Sequence, residues 1–334
     1  MNASELKRDL SVKDVLVPTD FSPCSYQALL YALAIARYYT ATVTLLHVVQ
    51  AHREGDPQEA WRDIRKIETD LAQEGHLQGI SLRLLVEQGE IWDVVSRVLT
   101  ESKTDLIVMG THGRTGFEKL VLGSFAETVF RGANCPVLTV GPRSRSAKPD
   151  SLFRIILFAT DFSSGADAAE PYAFSLSRHP GTKLTLLNVV QKSPLDHSAG
   201  KSTADKERLS YARARLEGTV LYAAGLDSGS RPDLVAEIGS PVDTILKEAD
   251  RISADLIVLG LGAPRKLADR LGWSNAYRVV CGSHCPVLTV REPFPGPYFE
   301  RIFAMNATKP SAESNADNTA TKSGATEGPA DSLV

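Results

Sequence analysis

The chain repeats itself, and the repeat limits its fold more than any other feature. Val15-Leu16-Val17-Pro18-Thr19-Asp20-Phe21-Ser22 returns as the run Ile155 to Ser163, one residue longer as written and ending in the same Thr-Asp-Phe-Ser. From Asp20 to Asp161 is 141 positions, and Thr44-Leu45-Leu46-His47-Val48-Val49-Gln50 meets Thr185-Leu186-Leu187-Asn188-Val189-Val190-Gln191 at the same offset. Asp105-Leu106-Ile107-Val108-Met109-Gly110 then matches Asp255 to Gly260, and Cys135-Pro136-Val137-Leu138-Thr139-Val140 matches Cys285 to Val290, both 150 positions on. Four blocks in one order indicate an internal duplication. The extra nine residues of the second copy fall between its second and fourth apolar runs.

Each copy reads as strands alternating with helices. In the first, apolar runs near 13–19, 42–49, 82–87, 105–109 and 136–140 predict strands. Helical patterns lie between them near 23–38, 57–75, 91–102 and 124–132. Asp56-Pro57 suits a helix start, with a capping carboxylate and then proline at the first helical position. The strand runs are continuously apolar, as in a parallel sheet covered on both faces. The expected class is therefore α/β, as two tandem doubly wound parallel-sheet domains. They span 12–141 and 153–291, with a polar linker at 142–152. Residues 304–334 are rich in Ala, Ser, Asn, Thr and Gly, a composition expected to be disordered.

Composition excludes several classes. The formal charge is −3, so no global basic field recruits nucleic acid or anionic membrane. No apolar stretch reaches bilayer length. Met1 to Leu10 is polar with mixed charge and lacks a signal-peptide core, so a cytoplasmic location is expected. Four cysteines are too few for a disulfide scaffold of this length. Cys281 and Cys285 resemble half a metal site, but the seven histidines do not complete it, so no metal ligands are expected.

Open parallel sheets bind ligands at the carboxyl ends of their strands, where strand order reverses. Pro18-Thr19-Asp20 follows the first strand, and Gly110-x2-Gly113-x9-Gly123-Ser124 follows the fourth. Glycines let backbone N–H groups approach phosphate oxygens. Gly123-Ser124 opens a helix whose N-terminus favours an anion. Arg114 and Lys119 add positive charge, and His112 adds a donor. A plain connecting loop explains single glycines less specially, and Ser124 with Glu127 reads equally as a capping box. Other phosphate motifs fail: Leu195 stands where the Gly200-Lys201-Ser202 run needs a glycine, and Arg265 spoils a dinucleotide fingerprint begun at Gly260.

On these residues the chain resembles the universal stress protein A family in its tandem form, over roughly 12–141 and 153–291. The first copy carries Pro-Thr-Asp-Phe-Ser, Leu-His-Val and the full glycine spacing. The resemblance implies an adenine nucleotide alpha hydrolase-like, Rossmann-like fold that binds ATP, with Mg2+ held through the phosphates. It assigns the nucleotide to Pro18, Thr19, Asp20, Val48, Met109, Gly110, Gly113, Gly123, Ser124 and Phe125, and the loop charges add His112 and Arg114. The second copy departs from the pattern: Ala263 replaces Gly113, Pro264 replaces Arg114, and Trp273 replaces Gly123. ATP is therefore expected in the first copy.

The resemblance implies a nucleotide-responsive stress or regulatory module with a protein partner that the sequence does not name. The alternatives are a slow ATPase or autophosphorylating enzyme, and an interaction protein without nucleotide. The loops typical of nucleotidyl transferases, His-x-Gly-His and Ser-Gly-Gly-x-Asp-Ser, are missing from the sequence, and no catalytic set emerges from spacing. Each copy ends in an apolar strand, and single-repeat relatives pair through that strand. The two copies are thus expected to pack as a pseudo-twofold dimer within one chain, with a homodimer of chains as a further level.

Overall fold

The computed structural model describes residues 12–50, 56–112, 122–146, 152–191, 203–223, 231–262 and 275–292. The tail at 304–334, Gly113, Arg114 and the altered second-copy positions Ala263, Pro264 and Trp273 lie outside the described residues.

The first copy runs β1 (Asp14–Pro18), α1 (Pro23–Tyr39), β2 (Thr42–Val49), α2 (Pro57–Gln73), β3 (Ser81–Gln88), α3 (Ile91–Glu101), β4 (Leu106–Gly110), α4 (Ser124–Gly132) and β5 (Val137–Val140). The second runs β6 (Ile155–Ala159), α5 (Ser164–Ser177), β7 (Lys183–Val190), α6 (Thr203–Ala223), β8 (Asp233–Ile238), α7 (Pro241–Ile252), β9 (Leu256–Leu261), α8 (Asn275–Gly282) and β10 (Val287–Arg291). Local chemistry sets the helix starts. Ser22 caps α1 by accepting from the Ser25 N–H, and Asp56 caps α2 by accepting from the Gln58 N–H, each followed by proline.

The ten strands of the described residues form one sheet, ordered β3-β2-β1-β4-β5-β10-β9-β6-β7-β8. Every neighbour pair is parallel except β5 and β10, which meet antiparallel with Leu138 opposite Leu288. The expected pseudo-twofold pairing is present. Thr139 Oγ1 donates to the Val287 carbonyl at 3.1 Å, and Thr289 Oγ1 donates to the Val137 carbonyl at 3.2 Å. These reciprocal bonds mark the local twofold. Apolar packing is continuous across the seam, since α1 and α5 residues share one core cluster and α4 and α8 residues share another.

In each half the chain leaves the first strand one way to reach the second and third, then returns to place the fourth on its other side. The strand order therefore reverses between β1 and β4, and again between β6 and β9. Two aspartates of the repeated blocks hold these junctions. Asp105 Oδ2 accepts from the Lys13 and Asp14 N–H groups, and Asp255 Oδ2 accepts from those of Arg154 and Ile155. No described helix is long and apolar enough to cross a membrane.

Candidate functional site

The turn after β1 is built by its own side chains. Thr19 N–H donates to the Leu46 carbonyl at 2.8 Å, carrying β1 one step further along β2. Thr19 Oγ1 accepts from the Phe21 N–H at 3.0 Å, and Asp20 Oδ1 accepts from the Ser22 N–H at 3.1 Å. Phe21 sits at φ +61°, in the left-handed region that side chains with a Cβ seldom adopt. These two bonds and a stack of its ring on His47, with centroids 4.3 Å apart, hold it there. His47 Nδ1 lies 2.8 Å from the Thr19 carbonyl. A carbonyl only accepts, so this nitrogen carries the proton.

The second copy rebuilds the turn atom for atom. Phe162 N–H donates to Thr160 Oγ1, Ser163 N–H donates to Asp161 Oδ1, and Phe162 has φ +59°. Asn188 replaces His47, yet its Nδ2 donates to the Thr160 carbonyl at the same 2.8 Å. The aromatic partner changes: the Arg215 guanidinium of α6 lies 4.3 Å from the Phe162 ring centre.

The end of β4 supplies the facing wall. Thr111 N–H donates to the Val140 carbonyl, and the Gly123 N–H donates back to the Thr111 carbonyl, both at 2.9 Å. The loop leaving His112 is thus closed at its base where α4 begins. Thr111 Oγ1 lies 2.9 Å from His112 Nδ1. The capping box read from Ser124 and Glu127 does not form. Gly123 takes the N-cap position with no side-chain cap bond, and Ser124 becomes the first helical residue. By helix geometry the Ser124, Phe125 and Ala126 N–H groups have no intrahelical acceptor.

A cavity of about 590 Å3 opens between these walls. Its size falls within the roughly 300–1,000 Å3 usual for small-molecule sites. Pro18, Thr19, Asp20, Val48, Met109, Gly110, His112, Gly123, Ser124 and Phe125 all line it. Of the twelve residues expected at the site, only Gly113 and Arg114 fall outside the described residues. Sequence reasoning missed Phe21, Ile91 and Val95, which add apolar wall, and the carboxylates of Asp56, which caps α2, and of Glu59 and Asp63 in its first turns. The spacing of these three on one side of a helix was visible, but nothing in the sequence says which face of α2 meets the cavity. No group of His, Cys, Asp or Glu among the described residues forms a metal site.

The corresponding region of the second copy differs. There a cavity of about 550 Å3 is lined by Asp161, Phe162 and Asn188 together with Arg208, Tyr211 and Arg215 of α6, and by no described residue of β9.

A doubled open sheet, with a cavity at the strand-order reversal of its first half, defines a tandem doubly wound α/β protein. The universal stress protein family model matches residues 11–141 and 152–291. The chain therefore belongs to the universal stress protein family. It is 34% identical over 148 residues to a universal stress protein of Methanocaldococcus jannaschii, covering 38% of this chain and 81% of that one. A universal stress protein of Mycobacterium tuberculosis is 25% identical over 302 residues, covering 83% of this chain and 97% of its own. The crystal structure of a universal stress protein from Archaeoglobus fulgidus superposes with a TM-score of 0.64 at 24% identity, covering 85% of this chain and all of that one.

Proposed function

We propose that the first repeat is an ATP-binding switch in a regulatory module of the stress response. The observation that carries this reading is Gly123. Its backbone, at φ −56° and ψ 150°, suits any residue. Among the described residues, a Cβ added there would meet only the Thr111 carbonyl oxygen, at 3.5 Å. The described neighbours therefore give no reason for glycine. A phosphate brought against the first turn of α4 does, because it needs backbone N–H groups that no side chain covers.

The remaining walls suit the rest of the nucleotide. Val48, Ile91, Val95 and Met109 offer apolar surface to a flat base, and Asp20 offers a carboxylate oxygen to a ribose hydroxyl. Gly110, Gly113 and Ser124 complete the phosphate cradle, with Arg114 and His112 supplying positive charge or donors. Mg2+ arrives on the phosphates and needs no protein ligand set. The altered second-copy loop leaves one site per chain.

Mass spectrometry of small molecules released from denatured, freshly purified protein tests this directly. Close to one ATP or ADP per chain is expected. An empty extract, together with no heat of ATP binding by calorimetry, rejects the reading.

A further inference from the structure

The helix that opens at the phosphate end of the cavity is held at both ends by the other repeat. Leu122 immediately precedes Gly123, and its backbone N–H donates to the Tyr277 hydroxyl of α8 at 3.3 Å. Leu122 and Tyr277 are both buried. At the far end of α4, Arg291 Nη2 donates to the Phe130 carbonyl at 2.8 Å. A cation there also complements the helix dipole. The Tyr277 ring packs edge-on against Phe130, centroids 6.1 Å apart at 85°, and so joins the two anchors.

Neither side chain follows from the duplication. Glu127 and Gly141 stand at the matching positions of the first repeat, 150 residues earlier. Tyrosine and arginine belong to the second repeat alone, and both act on the first.

We propose that Tyr277 and Arg291 are positioning residues for the first repeat's ligand: by anchoring α4 they fix the N–H groups of Ser124 to Ala126 that receive the phosphates. The inference rests on reading that cavity as a nucleotide site. Binding to a helix N-terminus depends on several N–H groups converging on one anion. A helix free to shift must be ordered by the ligand, which weakens affinity. The second repeat thus sets phosphate affinity in the first. By linkage, a bound triphosphate tightens the contact between repeats to the same degree. That contact gives a partner something to sense.

The test uses the full chain with Tyr277→Phe, which removes one hydroxyl, and Arg291→Met, which keeps the apolar stem. ATP and adenosine affinities are measured by calorimetry, and amide exchange is followed over residues 122–126. From the loss of the bond to Leu122 or to Phe130, ATP affinity should fall about three- to tenfold in each variant, while adenosine affinity stays within about twofold. Exchange over 122–126 should quicken, and Arg291→Lys should recover part of the loss. If both variants bind ATP as the wild type does, or lose ATP and adenosine equally, the inference is overturned and the nucleotide reading stands. A wild type that takes up no ATP overturns the nucleotide reading, and this inference with it. Should Tyr277→Phe fail to fold, Arg291→Met decides by the same measurements.

Discussion

At Gly110 an added Cβ would lie 2.9 Å from the Cys24 carbonyl carbon and 3.0 Å from the Ser25 nitrogen. The first turn of α1 packs onto the β4 backbone there, and its atoms cannot step aside. Gly260 repeats this contact more tightly, with an added Cβ 2.1 Å from the Gly165 carbonyl oxygen. Gly110 is therefore glycine for packing, while no described neighbour crowds Gly123. Gly110→Ala should destabilise the chain by about 1–3 kcal/mol, as overpacking does. Gly123→Val should cost about 1 kcal/mol, as an N-cap change does, yet abolish ATP binding. Thermal unfolding and calorimetry on the two variants separate the roles, and a Gly123→Val chain that binds ATP normally would defeat the proposed placement. Asp20 needs the same separation. Its Oδ1 holds the Ser22 N–H, and Asp161 does the same for Ser163, so recurrence of the aspartate reflects the turn whatever binds nearby. Asp20→Ala should weaken ATP binding by about 1.5–3 kcal/mol, the scale of a hydrogen bond to a charged group. Asp161→Ala breaks the equivalent turn and should leave affinity unchanged; the opposite ordering would move the site to the second repeat. Ten of the twelve candidate residues line the cavity, and they were legible because strand ends, glycine spacing and the family motifs are local features of the sequence. The packing role of Gly110 was not, because Cys24 and Ser25 reach it only through the β1-α1-β2 path across the sheet.

Strands were readable by their apolar runs, and their places in the sheet by the pattern inside each run. β1, β4 and β5 are buried nearly throughout, while β3 has exposed Ser81, Arg83 and Gln88, only partly covers the rest, and lies at the sheet edge. Polar and charged residues on an outer strand discourage further pairing. Helix α1 was less readable. Nine of its residues are buried, because it packs on the sheet and also shares a core with α5, a contact that no window within one repeat can reveal. Helix α5 carries a carboxyl at a position where α1 is apolar. Glu170 matches the buried Leu29 of α1, and burial, then the nearby Asp167 carboxylate, push its carboxyl up to about 7 from 4.5. The folded state therefore holds a proton that the unfolded chain has released between those two values. Stability is unpenalised below about pH 4.5, falls as pH rises toward about 7, and stays reduced above it. Glu170→Gln should accordingly raise the unfolding midpoint at pH 8 and leave it unchanged at pH 4. Equal midpoints for both proteins at pH 8 would show that the carboxylate carries no such penalty.

The whole molecule depends on the seam. Val137, Leu138, Thr139 and Val140 are all buried, and β10 covers the edge of β5 that would otherwise face water. A buried apolar strand with one bare edge seeks another strand. Nothing in the β5–β10 strand pairing itself requires the partner strand to come from the second repeat. The reciprocal bonds of Thr139 and Thr289, set about the Leu138–Leu288 pair, are those of an isologous contact between like surfaces. In the intact chain the linker supplies the partner at high effective concentration, so pairing within the chain prevails over pairing between chains. That linker is partly docked, since Arg143 Nη2 donates to the Cys281 and Gly282 carbonyls at the end of α8 and the Tyr31 hydroxyl donates to the Arg145 carbonyl. Residues 1–142 expressed alone should therefore dimerise, with Leu138 opposite its own copy and each Thr139 hydroxyl donating to the other copy's Val137 carbonyl. Leu138→Glu would place two carboxylates face to face across that axis and should yield monomer or unfolded chain. Sedimentation of the isolated repeat with and without the substitution measures this. A stable, soluble monomer of the unsubstituted repeat at high concentration, with full ATP affinity, would mean that the seam is dispensable. It would also mean that Tyr277 and Arg291 do not set phosphate affinity, because the isolated repeat lacks both.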